Sequence, residues 1–168
     1  MQISFPSQIN KSIVFDTTEK FLRESGFQII NKDSERPWGG FFVIDEAQSD
    51  KFFKEFFPNE RVNFQKKISP KFLIVEPGKR LSWQYHFRRA ELWRVITGDV
   101  GIITSKTDTE SGLKKYRPDS IIKLKKGERH RLIGLVNWGV VAEIWQHTDK
   151  DHPSDEEDIV RLQDDFGR

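Results

Sequence analysis

The sequence predicts a mostly β protein, built as a sandwich or barrel with a helical extension in front. Three observations carry this. From about residue 70 the chain breaks into short β-rich runs: KFLIVEPG, RLSWQYHF, ELWRVITG, DVGIITS, SIIKLKKG, HRLIGLVNWG and VVAEIWQH. Gly, Pro, Asp or Asn separates most of them, at the close spacing of strands joined by turns. Within LSWQYHF (81–87), Leu81, Trp83, Tyr85 and Phe87 alternate with Ser82, Gln84 and His86, the period of two of a strand between unlike surroundings.

The elements follow in order. Asp16 and Glu19 stand three apart, as in an N-terminal capping box, and Gly26 makes a stop, so a helix is expected over 17–25. RPWGGFFVIDE (36–46) reads as a turn feeding a strand near 39–44. SDKFFKEFFP places Phe52, Phe53, Phe56 and Phe57 on one face of a short helix closed by Pro58. The β-rich runs then fill 70–150, with Gly at 78, 98, 101, 112, 127, 134 and 139 punctuating them. In the tail, Ser154 and Glu157 again have capping-box spacing, and 151–168 is expected to close with a short helix. The whole reads as one domain: a helical and irregular extension over 1–69, a core over 70–150 and the tail.

Composition narrows the function. At 168 residues with 14 Phe and 5 Trp, the chain has enough apolar bulk for a core without staples. Lys and Arg number 28 against 26 Asp and Glu, a net charge of +2, too balanced for a nucleic-acid partner. There is no cysteine, which excludes disulfides, thiolate metal sites and cysteine nucleophiles. The start, MQISFPSQINKSIVF, lacks the basic and then apolar pattern of a signal peptide. No apolar run approaches a membrane span. A soluble, cytoplasmic protein is expected.

The chemistry concentrates in the alternating strand. Gln84 and His86 share parity and point to one side; a turn at Arg88 to Ala90 brings Glu91 back on the next strand, and a later strand supplies His130. Four N and O ligands from three strands suit a divalent metal, with Zn²⁺ first and Mn²⁺, Co²⁺ and Fe²⁺ as alternatives. If the polar face is inside, Trp83, Tyr85 and Phe87 form an outer apolar stripe that must be covered. The N-terminal helices or a second copy of the chain, in a homodimer, are the two solutions. His147 and His152 fall in an acidic, loop-like segment and read as surface residues. Lys123, Lys125, Lys126, Arg129 and Arg131 surround the fourth ligand and read either as a solvated hairpin or as a basic rim for a phosphate.

These motifs resemble the two ligand motifs of the cupin superfamily, with Gln84 where the first histidine usually stands. RPWGGF (36–41), PGKRLSWQYHFRRAELW (77–93), GERHRL (127–132) and DEEDIVRLQDDFGR (155–168) are similar to the C-terminal isomerase domain of type II mannose-6-phosphate isomerases. The similarity covers 36–43 and 70–168; residues 1–35 and 45–69 have no evident counterpart. It implies a cupin-type jelly-roll barrel and aldose–ketose isomerisation of a sugar phosphate through an enediolate. It also implies that Lys71, Arg89, Arg131 and Arg161 line the pocket as catalytic and phosphate-holding groups. Lys71 would serve as the base only if burial depressed its pKa, so the base stays unnamed. The family has histidines where this chain has Phe87, Arg88 and Leu92. That departure keeps two alternatives open, a sugar-phosphate-binding cupin without turnover and another metal-dependent cupin enzyme such as an oxygenase. No Gly-rich nucleotide loop is present, so guanylyl transfer is not expected of these residues.

Overall fold

The structure is a computed structural model describing residues 3–6, 8–63 and 65–168. In chain order its elements are α1 (Lys11–Glu24), β1 (Ile29–Asp33), β2 (Gly39–Ile44), α2 (Ser49–Phe56), β3 (Ile68–Val75), β4 (Trp83–His86), β5 (Arg89–Thr97), β6 (Val100–Ser105), β7 (Lys114–Tyr116), β8 (Ile121–Leu124), β9 (Arg129–Gly134), β10 (Gly139–His147) and β11 (Ile159–Gln163). The strands form a six-stranded sheet in the order β1-β2-β3-β10-β5-β8 and a five-stranded sheet in the order β11-β4-β9-β6-β7. The fold is therefore mostly β, as predicted: two antiparallel sheets packed face to face. No helix among the described residues is long and apolar enough to cross a membrane.

Two apolar layers hold it. Between the sheets lie Leu73, Val75, Trp93, Val95 and Val141 from the larger sheet against Val100, Ile102 and Leu132 from the smaller. The opposite parity of the larger sheet, Phe42, Ile44, Phe72, Ile74, Val140 and Ile144, meets the two helices. There Phe52 and Phe56 of α2 lie edge-on to Phe72, with ring centroids 5.7 and 5.0 Å away. Burying each such ring contributes about 1.5–3 kcal/mol. Because both faces of β3 and β10 are covered, these strands are almost wholly buried, which explains their near-continuous apolar sequence.

The helices thus back the six-stranded sheet and leave the Trp83–Tyr85–Phe87 stripe on the other sheet to different cover. Trp83 is buried under the β6–β7 connection, its indole donating to the Asp108 carbonyl at 2.7 Å. The Arg129 guanidinium lies 4.1 Å from the Tyr85 ring centroid, and Phe87 remains 60% exposed.

Three further expectations are corrected. Helix α1 begins at Lys11 rather than 17, placing Asp16 and Glu19 inside it. Its start is fixed from outside, by Trp138 Nε1 donating to Ile9 O at 3.2 Å and Lys11 Nζ to Arg36 O at 2.9 Å. The tail makes no closing helix: one 3-10 turn, Glu156–Asp158, leads into β11. Ser154 is the reason, since its hydroxyl donates to Asp158 and accepts from Arg89 instead of capping a helix. The β-branched Ile159 and Val160 then pair with His86 and Tyr85 of β4. Finally, His147 is a buried residue at the end of β10, accepting from Ser154 N through Nδ1 and meeting Ser69 Oγ at 2.8 Å through Nε2; His152 is exposed, as expected.

Candidate metal centre and its cavity

Strands β4 and β5 do not pair with each other. The chain crosses between sheets at Phe87–Arg88, and Asp158 clamps that corner by accepting from both backbone N–H groups, at 3.0 and 2.9 Å. The crossing is what brings residues of β4 and β5 face to face. Gln84 and His86 point inward from the smaller sheet, Gln84 lies opposite His130 on β9, and Glu91 points inward from the larger sheet.

His86, Glu91 and His130 are all buried and offer ligand atoms within 4.8 Å of one another. His86 Nε2 lies 3.2 Å from one Glu91 oxygen and His130 Nε2 lies 3.4 Å from the other. The remaining ring nitrogens face backbone carbonyls, Nδ1 of His86 at 3.3 Å from Asp158 O and Nδ1 of His130 at 2.9 Å from Glu128 O. A carbonyl only accepts, so each Nδ1 carries its hydrogen and Nε2 of the neutral ring presents a lone pair to the centre. His130 Nε2 is buried without a hydrogen-bond partner, which is costly unless something binds it. Burial pushes the His86 imidazole below its usual pKa, against the pull of Glu91. Burial alone would raise the Glu91 carboxyl, but His86, Arg89 and His130 outweigh it and hold it well below the usual carboxylate range. Two imidazoles and one carboxylate, each oriented from behind, are donors that could hold a divalent metal. Gln84 stands beside them, its side-chain oxygen accepting from Ser82 Oγ at 2.6 Å.

Arg89 closes the open side of this cluster. Its guanidinium donates to Glu91 at 2.7 Å, lies 3.1 Å from His86 Nε2, and reaches Ser154 Oγ at 2.9 Å. In front lies a cavity of about 60 Å³, lined by Gln84, Arg89, Trp93, Glu143 and Trp145 on the inside and by Arg36, Lys71, Glu156, Arg161 and Arg168 toward its mouth. Arg36, Phe41, Lys71 and Glu156 also line an outer groove of about 340 Å³, which extends the cavity to the surface. Lys71 donates to Glu156 at 2.9 Å and lies 3.7 Å over the Trp145 ring, which Arg89 also approaches at 3.5 Å. The Arg161 side chain makes no hydrogen bond or ion pair among the described residues; burial, then the charge of Arg168, depresses its pKa.

Of the four cationic residues expected at the pocket, Lys71, Arg89 and Arg161 line the cavity, whereas Arg131 does not. It is fully buried behind β4, donating to Leu81 O, Glu110 and Gln163. Nor do Lys123, Lys125, Lys126 and Arg129 line it; Lys123 pairs with Glu60 and Arg129 with Asp108, as a solvated hairpin does.

The residue that sequence reasoning missed is Glu143. It sits mid-strand on β10, paired in register with Lys71 on one side and Trp93 on the other. Trp93 Nε1 is shared, donating to Glu91 at 3.1 Å and to Glu143 at 3.0 Å. Burial, reinforced by the charge of Glu91, raises the Glu143 carboxyl to about 8. The signal was present in VVAEIW: a carboxylate at the parity of Val141, on the face that fills the core.

Comparison with known proteins agrees with this architecture. The profile of the family described as mannose-6-phosphate isomerase C-terminal matches residues 50–164, reaching upstream into α2, where the resemblance seen in the motifs does not extend. A mannose-1-phosphate guanylyltransferase of Salmonella montevideo is 26% identical over 140 residues, covering 83% of this chain and 24% of its own length. One of Escherichia coli (strain K12) is 26% identical over 139 residues, with the same coverage of 83% and 24%. The chain thus spans about a quarter of the length of these relatives. Among solved structures, a Bacillus subtilis oxalate decarboxylase variant superimposes with a TM-score of 0.58 at 11% identity, over 79% of this chain and 30% of that one. A match of this kind speaks for the fold alone, and that fold is the cupin. With its matched segment running from α2 to β11, the chain belongs to the mannose-6-phosphate isomerase C-terminal family of cupins.

Proposed function

We propose that the chain is a metal-dependent aldose–ketose isomerase of a sugar phosphate, with mannose 6-phosphate as the first substrate to test. One observation carries the reading: a buried His–Glu–His cluster with an unpartnered imidazole nitrogen stands behind a cavity whose mouth is cationic. Gln84, His86, Glu91 and His130 would hold the ion, zinc before manganese, cobalt or iron, because their N and O donors suit it. When bound, it supplies Lewis-acid polarisation of a carbonyl oxygen.

The protein's own groups bind and orient. Arg161, without a partner, and Arg36, Lys71 and Arg168 beside it offer charge-assisted donors to a phosphate at the mouth. Fixing that end presents the other end of a sugar chain to the cluster, replacing rotational freedom with one orientation. Arg89 adds positive charge at the inner end, where an oxyanion develops as a proton leaves the neighbouring carbon. Trp38, Phe41, Trp93 and Trp145 wall the space and keep water from the intermediate.

The test uses protein loaded with Zn²⁺, Mn²⁺ or Co²⁺ in D₂O, given mannose 6-phosphate and other sugar phosphates and followed by proton NMR. Interconversion or C2 deuteration that disappears with chelator and in His130→Ala supports the reading. A second reading, a sugar-phosphate-binding module without turnover, is favoured by the Arg89 guanidinium lying between the cluster and the cavity. Binding in calorimetry with no change to any substrate would select it.

A further inference from the structure

We propose that Glu143 is the catalytic residue that carries the proton between C2 and C1 of the sugar phosphate. This rests on the isomerase reading above and names the group that reading lacks.

The cavity wall holds few side chains able to take a proton from carbon. Arg36, Arg89, Arg161 and Arg168 are guanidinium groups and do not deprotonate in proteins. Lys71 is engaged at its ammonium by Glu156 and lies over Trp145. Glu156 is tied to Lys71 at the mouth, its side chain 58% exposed, away from the cluster. Glu91 belongs to the cluster itself. Glu143 remains. It is 4% exposed, so the little surface it has belongs to the cavity it lines. Trp93 holds its Oε1 at 3.0 Å, and its Oε2 makes no hydrogen bond among the described residues.

On this face of the larger sheet the apolar Leu73, Val75, Val95 and Val141 give way toward the cavity to Lys71, Arg89 and Glu91, and Glu143 stands at that polar end, in register with Lys71. The Trp93 N–H that fixes Glu143 also donates to Glu91. One indole therefore sets the spacing between the proposed proton carrier and the metal cluster. The raised pKa described above supports the assignment, because a group that takes and returns a proton works best when its pKa lies near the working pH.

The step balances without a co-reactant. The ionised Glu143 takes the proton from C2; the C2–H electron pair becomes the C1–C2 π bond, and the C1–O1 π pair moves to O1. The hydroxyl proton of O2 then passes to O1 and C2=O forms. The Glu143 carboxyl delivers its proton to C1 and is ionised again. Hydrogen has moved from C2 to C1 and from O2 to O1, and nothing is oxidised or reduced overall.

The test compares wild type with Glu143→Gln, which keeps an acceptor for Trp93, both loaded with Co²⁺. The visible spectrum of Co²⁺ and the calorimetric affinity for mannose 6-phosphate should be unchanged. C2 deuteration in D₂O should fall by at least about 100-fold, the lower range for loss of a general acid–base. Acetate should restore part of it in Glu143→Ala, where the carboxyl space is empty. Wild-type exchange that persists in Glu143→Gln overturns the assignment and leaves the isomerase standing. A wild-type chain that binds the sugar phosphate but exchanges no carbon-bound proton overturns both.

Discussion

At the scale of single residues, the cluster is built from atoms each held from behind. Asp158 O and Glu128 O orient the two imidazoles, and Trp93 orients the two carboxyls. Removing His130 should therefore lower Zn²⁺ or Co²⁺ affinity by at least about 100-fold, the upper range for losing even an outer partner, as read by metal titration of His130→Ala. Trp93→Phe keeps the ring and removes the shared donor; losing a hydrogen bond to a charged acceptor costs about 1.5–3 kcal/mol, to be measured by urea unfolding. His147 gives a pH dependence. Burial lowers its pKa from 6.5 to about 4, so between those values the unfolded chain binds more protons than the folded one. Its contribution is complete above 6.5 and is lost as the pH falls toward 4. Urea unfolding of the metal-free protein at pH 7 and pH 5 should show a larger loss in wild type than in His147→Gln. The grouping of Gln84, His86 and Glu91 was legible because parity and short spacing are local, whereas His130 was placed beside them by its GERHRL motif. Glu143 was not legible, because its neighbours Lys71 and Trp93 are set by the register of β10 between two distant strands.

At the scale of elements, the corner between β4 and β5 matters more than either strand. Asp158 supplies both acceptors for its backbone. Asp158→Ala leaves two N–H groups short of a partner and should cost about 1–3 kcal/mol in urea unfolding, with weaker metal binding because His86 loses its anchored neighbour. The β5–β6 turn depends on Gly98, whose φ is 70° and where an added Cβ would lie 2.1 Å from Trp138 O. Gly98→Ala should destabilise measurably by thermal melting, since both the conformation and the space oppose it. The buried strands and α2 were readable from apolar runs. β1, β7 and β11 were not, because their residues IINKD, KKY and IVRLQ are largely exposed and carry no face pattern. α1 was misplaced because its N-terminal tethers come from Trp138 and Arg36, which no local signal announces.

For the whole molecule, the helices and the cluster occupy opposite faces of the six-stranded sheet, while the inter-sheet apolar layer shares the cluster's face. The site itself is assembled from four separated stretches, and its most central strand has an unusual position. β4 lies between β9 and β11, both of which follow it in the chain. During synthesis the strand bearing Gln84 and His86 therefore waits with both edges open. At about 5–20 residues per second, the interval until Arg161 is made is about 4–15 s. An open edge of that kind invites mispairing. The pairing of the nascent strand, and the moment at which the His86–Glu91–His130 cluster becomes complete, should both be governed by the arrival of the segment around 159–163.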